Sequence, residues 1–348
     1  MMKHIIKNIA FSMTCVATTL LMASCDTDVE SVNINEPAIS NQNAGLYQNY
    51  LTGLRTFKAS KHKVSFGWFD NSVGTPCSQG QHISAAPDSL DYIVMETPAN
   101  ITGAVMQEMQ NVREQKGTKV LCKISFEAIK SAYDIEEMAF SGDPANKGKA
   151  FTSFNTYLVD SVNAKLNLCV MYNYDGVVMC FNGKQEMYMS DDEKAEAIAQ
   201  ENDFMGIAKD WAQRHTDKVF VMAGYPQYIT DQSIFSLASY VVIPCQSAAS
   251  LSNMTYLFSK AAVDGVPADK LLPLVSMTSL DATDLSTGYW SKGTLAVMGA
   301  AQWVASDHDG YSVAGLAVEN VNNDYYNAAF TYPHVRKAIT IINPTVKN

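Results

Sequence analysis

The segment Tyr174-Asp175-Gly176-Val177-Val178-Met179-Cys180-Phe181-Asn182-Gly183 carries five consecutive apolar residues, Val177 to Phe181. An unbroken apolar run of this length needs cover on both faces. That is the pattern of a central parallel strand, not of a half-exposed hairpin. Asp175-Gly176 at its head reads as a tight helix-to-strand turn, with glycine supplying a backbone angle that other residues resist. Asn182 then falls where the strand ends. In a parallel α/β protein, the C-terminal strand ends are where chemistry is placed.

Working outward, similar strands recur along the chain. Upstream lie Lys63–Phe69, Leu90–Met95 and Lys119–Phe126; downstream lie Lys218–Gly224, Ser239–Cys245, Leu271–Met277 and Val313–Val318. Helical sequence separates them, over 104–115, 149–171, 191–215 and, after the last strand, 332–342. Gly117 closes the first of these, and Pro344 stops the last. Eight strands so spaced predict an α/β fold, a single (β/α)8 TIM barrel. A doubly wound open sheet is the alternative, but it calls for a glycine-rich phosphate loop, and the chain has neither GxGxxG nor GxxxxGK.

The 348 residues are 47% hydrophobic and 17% charged, ample for one large core. The first 24 stand apart. Lys3 and Lys7 precede an apolar run that ends at Ala23-Ser24-Cys25, as in a secretory signal peptide. Leu21-Met22-Ala23-Ser24-Cys25 resembles the bacterial lipobox, in which the cysteine is lipidated; an ordinary signal peptide with an incidental cysteine is the alternative. Residues 25–45 then read as the lipidated cysteine and a flexible polar tether, and 46–348 as the barrel. Asp26, Asp28 and Glu30 after that cysteine resemble the signal that sends Bacteroides-type lipoproteins to the outer face of the outer membrane.

The net charge is −10, and the leader removes two lysines but no acid. So acidic a chain is ill suited to nucleic acid, whose binding rests on neutralising phosphates. Beyond Cys25 the cysteines are Cys77, Cys122, Cys169, Cys180 and Cys245, an odd number and largely within apolar runs. They read as small buried hydrophobes, not a disulfide framework. The six histidines are scattered, with no HExxH and no His/Cys cluster, so neither a metal nor a cofactor is expected. There is no GxSxG elbow.

A barrel whose fourth strand reads apolar-Asp-Gly-apolar resembles glycoside hydrolase family 18, the chitinases and endo-β-N-acetylglucosaminidases. The lead-in Tyr172-Asn173-Tyr174-Asp175-Gly176 fits that family. The closing Asn322-Asn323-Asp324-Tyr325-Tyr326 and Ile342-Asn343-Pro344 resemble family 18-like lipoproteins of Bacteroides glycan-utilisation loci. The family's strand carries Asp-x-x-Asp-x-Asp-x-Glu. Laid on this chain, those positions are Asp175, Val178, Cys180 and Asn182. In the family the Glu protonates the glycosidic oxygen, and the Asp before it steers the substrate's own acetamido group. An amide has no titratable proton near neutral pH, and a thiol does not orient an acetamido group as a carboxylate would. The resemblance therefore implies a degenerate site that binds N-acetylglucosamine-containing glycans without cutting them. It also implies a cell-surface lipoprotein working with outer-membrane glycan transport proteins.

The alternative is an active endo-glycosidase that uses a relocated carboxylate. Glu96 and Glu319 are the main candidates, with Asp70, Glu127, Glu186 and Asp191 also near strand ends. Glu319 stands where family members usually carry a sugar-stacking tryptophan. For binding, ring faces and amides are needed. Trp68, Tyr225, Gln227, Gln246 and Trp290 are the candidates beside Asn182 and Glu319, with Phe69, Tyr228, Tyr289 and Tyr311 as further rings; core or loop packing is the competing role for each. Trp211 and Trp303 sit in helical sequence and read as packing residues.

Overall fold

The computed structural model describes residues 43–344 except 186 and 188. The leader, Cys25 and the tether through residue 42 lie outside the described residues, as does the candidate acid Glu186. The barrel lies within the compact unit Tyr50–Asn348. Its strands are β1 (Val64–Phe69), β2 (Tyr92–Met95), β3 (Lys119–Ser125), β4 (Gly176–Phe181), β5 (Val219–Gly224), β6 (Tyr240–Pro244), β7 (Leu271–Ser276) and β8 (Gly315–Glu319). All neighbours are parallel, and β1 pairs with β8 (Val64↔Gly315) to close the cylinder. The expected TIM barrel is the fold.

The helices are α1 (Ala44–Ala59), α2 (Gly103–Asn111), α3 (Phe126–Gly142), α4 (Phe154–Met171), α5 (Asp191–Arg214), α6 (Ile234–Leu237), α7 (Leu251–Ala261), α8 (Ala296–Ala305) and α9 (Pro333–Ile342). α1, α6 and α7 lie where the sequence reading marked no helix, and two others also depart from it. α3 follows β3 with no intervening turn, so Phe126, expected as the last residue of a strand, is the first of a helix. Ser125 caps it by accepting from Ala128 N, and Phe126, Ile129 and Tyr133 form its buried stripe. α4 starts at Phe154 and not near Lys149, because Ser153 supplies its cap. Among the described residues no helix is long and apolar enough to cross a membrane.

The opening segment is covered on both faces, as its apolar run requires. Val177, Met179 and Phe181 face outward into the layer between sheet and helices. Val178 faces the barrel interior with Phe66, Trp68, Val94, Leu121, Val221 and Val242. Gly176 serves a different purpose from the one expected. The left-handed residue of this turn is Asn173 (φ 52°), whereas Gly176 is already strand. A Cβ on Gly176 would lie 2.0 Å from the Val219 carbonyl oxygen, so glycine is needed for the close approach of β4 and β5.

Candidate functional site

Strand alternation decides what reaches the C-terminal mouth. On β3 the inward residues are Leu121 and then Lys123; on β4 they are Val178 and then Cys180. Lys123 Nζ bonds Glu96 Oε2, one residue past β2, at 2.5 Å. Across the opening, Ser276 Oγ donates to Glu319 Oε2 at 2.8 Å, and Gln246 Nε2 approaches the same oxygen at 3.4 Å. Burial lifts the Glu96 carboxyl above its ordinary value against the pull of Lys123, and Glu319 and Asp70 push the same way as burial. Burial opposes the Lys123 charge too, but Glu96, by its charge and its hydrogen bond, helps hold the ammonium above the ordinary lysine value. Burial pushes the Cys180 thiol up to about 12, so it is a neutral group at physiological pH.

Asn182 is exposed, one residue beyond β4. Its backbone N–H donates to Glu127 Oε1 at 2.6 Å, and Ser125 Oγ donates to the other oxygen at 3.0 Å. Glu127 thus ties the end of β4 to the start of α3. Asp175 is at the opposite end of the strand. It accepts from Val120 N and from Arg113 Nε at 2.8 and 2.7 Å, so its work is to align β3 and β4. Asp70 accepts from Ser72 N within its own turn, and Asp191 starts α5, exposed.

Beside Asn182 a cavity of about 330 Å³ opens between α3, α5 and the β4–α5 connection, with Phe126, Phe181, Ile198 and Tyr228 on its walls. An adjoining depression of about 1010 Å³ is lined by Tyr225, Gln227, Tyr228, Tyr256 and Leu257. The two share Lys184, Tyr228 and Thr230, which makes them one groove. The Tyr225 and Tyr228 ring centroids are 5.9 Å apart, and Gln185 Nε2 donates to the Tyr228 hydroxyl at 2.7 Å. Gln227 Oε1 is buried with no hydrogen-bond partner among the described residues. The ring faces suit a sugar, which presents apolar C–H faces to stack on them.

The sequence candidates therefore fall into three places. Glu96, Gln246 and Glu319 gather at the mouth with Cys180. Asn182, Tyr225 and Gln227 meet along the groove. Trp68 and Trp290 do neither. Trp68 is 1% exposed, inside the barrel. Trp290 is 7% exposed and lies against α8, where a Cβ on Gly299 would come within 2.3 Å of its ring. A glycine in the alanine-rich sequence of α8 is the signal that a large ring docks there. Phe69 is fully buried, and Tyr311 precedes β8 and packs near Phe258, away from the mouth. Lys123 and Tyr256 were not singled out. Lys123 was legible, since alternation from Leu121 turns it inward; Tyr256 was not, because it reaches the groove from α7 only through the fold. Among the described residues no group of three His, Cys, Asp or Glu side chains could hold a metal.

The family model described as glycoside hydrolase family 18, BT1044-like, matches residues 27–341. Among solved structures, a selenomethionine form of a glutamate-to-glutamine variant of BT1044 is 17% identical, with a TM-score of 0.59, covering 88% of this chain and 95% of that one. An endo-β-N-acetylglucosaminidase from Cordyceps militaris is 14% identical with a TM-score of 0.59, covering 84% of this chain and 95% of its own. That structure carries Asp-to-Asn and Glu-to-Gln replacements two positions apart and holds fucosyl-N-acetylglucosamine-Asn. A chitinase from Rhizomucor miehei is 13% identical with a TM-score of 0.52, covering 80% of this chain and 99% of its own. At these identities the likeness is one of fold. No curated protein matches the chain.

Proposed function

The chain belongs to glycoside hydrolase family 18, in its BT1044-like group, and we propose that it binds N-acetylglucosamine-containing glycans without cleaving them. The observation that carries this reading is the end of β4. Cys180 and Asn182 occupy the positions where the family pattern has its Asp and its Glu. Neither ionises as an acid in the working range, and general-acid catalysis alone is worth ~10²–10⁴-fold. Asn182 keeps two donors and an acceptor beside a groove lined by tyrosines. The ligand class is supported by the fungal relative, which holds an N-acetylglucosamine-bearing ligand with amides in place of two acids.

The test is a titration of the protein with a glycan panel, paired with prolonged incubation and assay for new reducing ends. Saturable binding of N-acetylglucosamine-containing chains with no release is expected, and Asn182→Ala should weaken it. Release that persists in Asn182→Ala would overturn the reading. An active enzyme using a relocated acid has one observation in its favour, the raised carboxyl of Glu96 at the mouth. It requires a pH–rate profile that disappears in Glu96→Gln or Glu319→Gln.

The proposal extends to location. Lipidation at Cys25 would hold the barrel at the outer membrane, probing the cell exterior for an outer-membrane glycan transporter. Loss of labelling by a fatty-acid probe in Cys25→Ala, and protease accessibility on intact cells, test this part separately.

A further inference from the structure

At the N-terminal end of the barrel, opposite the mouth, lies a cavity of about 280 Å³ between the α1–β1 connection and the starts of β2, β3 and β6. Four basic residues line it (Lys58, Lys61, His62 and Lys119) against a single acid, Asp91. Tyr92 and Tyr240 line it as well, packed edge to face with centroids 5.7 Å apart. A concentration of positive charge is unexpected on a chain of net charge −10.

Part of this set is accounted for by the fold. Lys58 Nζ donates to Leu90 O and Thr118 Oγ1 at 2.5 and 2.7 Å. His62 has Ser60 O on Nδ1 at 2.8 Å and Asp91 Oδ1 on Nε2 at 2.9 Å. A carbonyl and a carboxylate both accept, so a doubly protonated ring satisfies both contacts, and the hydrogen bond to Asp91 raises the His62 pKa. Asp91 balances that one charge. Beyond them, Lys116 and Asp88 pair with each other. Lys61 and Lys119 are unaccounted for: both are exposed, and neither ammonium has a partner among the described residues.

We infer that this cavity binds a phosphate-type oxyanion, either free or as the phosphate of a lipid headgroup, with Lys61 and Lys119 as its main ligands. Two exposed ammonium groups lining the cavity supply charge-assisted donors. His62, paired with Asp91 and bonded at both ring nitrogens, contributes neither a donor nor net charge to the anion. The Tyr92 hydroxyl donates to that of Tyr240, which leaves the Tyr240 hydroxyl hydrogen as the one further donor of the pair. The small volume suits a compact anion and not a polymer.

The test uses the full chain and its Lys61→Gln/Lys119→Gln variant, whose replaced side chains are exposed, so folding should be kept; circular dichroism checks this. Inorganic phosphate is titrated calorimetrically at constant ionic strength, with chloride as control. The same proteins are sedimented with phosphatidylglycerol and with phosphatidylcholine vesicles. Saturable phosphate binding that weakens by about tenfold or more in the variant supports the free anion. A preference for phosphatidylglycerol that the variant loses, without a response to inorganic phosphate, supports the headgroup. Equal response to phosphate and chloride together with equal vesicle binding by both proteins, or binding unchanged in the variant, overturns the inference.

Discussion

At the N-terminal end of the barrel the Asp91 carboxylate is bonded to main chain and hydroxyl alike, whereas at the mouth the Glu319 carboxylate is bonded, among the described residues, only by side chains. Asp91 Oδ2 accepts from Ser65 N and Ser65 Oγ, both at 2.8 Å, while Oδ1 takes His62. This joins β1 to the start of β2 in a buried setting. Among the described residues the Glu319 carboxylate meets only Ser276 and Gln246, and the neighbouring Glu96 carboxylate only Lys123. A polar group wired to the backbone specifies where strands lie. A group wired to other side chains can be exchanged while the strands stay put. The Glu96 and Glu319 carboxylates can therefore be exchanged with the strands in place, whereas Asp91, and at the mouth Glu127 through Asn182 N, hold the fold.

The largest test of that contrast is Asp91→Ala. It leaves the His62 ring and the Ser65 donors without their acceptor, and should lower stability by about 3–5 kcal/mol. A urea denaturation series reads this directly, and a loss under ~1 kcal/mol would erase the distinction between the two kinds of carboxylate. Next in size is Lys123→Met, which strips Glu96 of its counter-charge in a partly buried place. About 1–3 kcal/mol is expected, because a charged group is left without its partner. Glu319→Gln should be nearly silent in stability, within about 0.5 kcal/mol, since the amide can still meet Ser276 and Gln246. Its effect belongs in glycan affinity, where a measurable fall is expected; unchanged binding would remove Glu319 from the site.

The smallest effect is in pH dependence. The hydrogen bond to Asp91 raises the His62 pKa, with burial working against it. A raised value means the folded state holds the proton more tightly than the unfolded state. The resulting stability is complete below the ordinary histidine value and is lost as pH rises through the raised one. His62→Gln should flatten that decline. A wild-type stability that stays level across the same interval would mean that His62 is not the coupled group.

How much of this was readable beforehand differs by element. β4 was legible because five apolar residues in a row admit few alternatives. The seven other strands followed from the same property, to within a few residues at each end. α3 escaped notice since its capping serine is also the last residue of β3, leaving no turn to mark the change. The site was legible where it depends on strand parity, which turns Cys180 inward and carries Asn182 to the strand end. It was not legible for the tryptophans. Trp68 and Trp290 sit near strand ends in sequence, but burying an indole removes so much apolar surface from water that the core claims both. The groove was also out of reach, as Tyr225 and Tyr228 come from the connection after β5 and Tyr256 from α7, which only the closed barrel brings side by side.

By itself, then, the sequence determined the parallel barrel and the identity of the groups at the end of β4, because hydrophobic period and covalent order are local properties. Which acids remain unpaired, which rings face solvent, and which lysines lack a partner were decided by the tertiary structure alone. Those outcomes depend on neighbours far apart in the chain: Lys123 with Glu96, Trp290 with Gly299, Lys58 with Thr118. Only closure of the barrel, which fixes the stagger between strands, sets those distances.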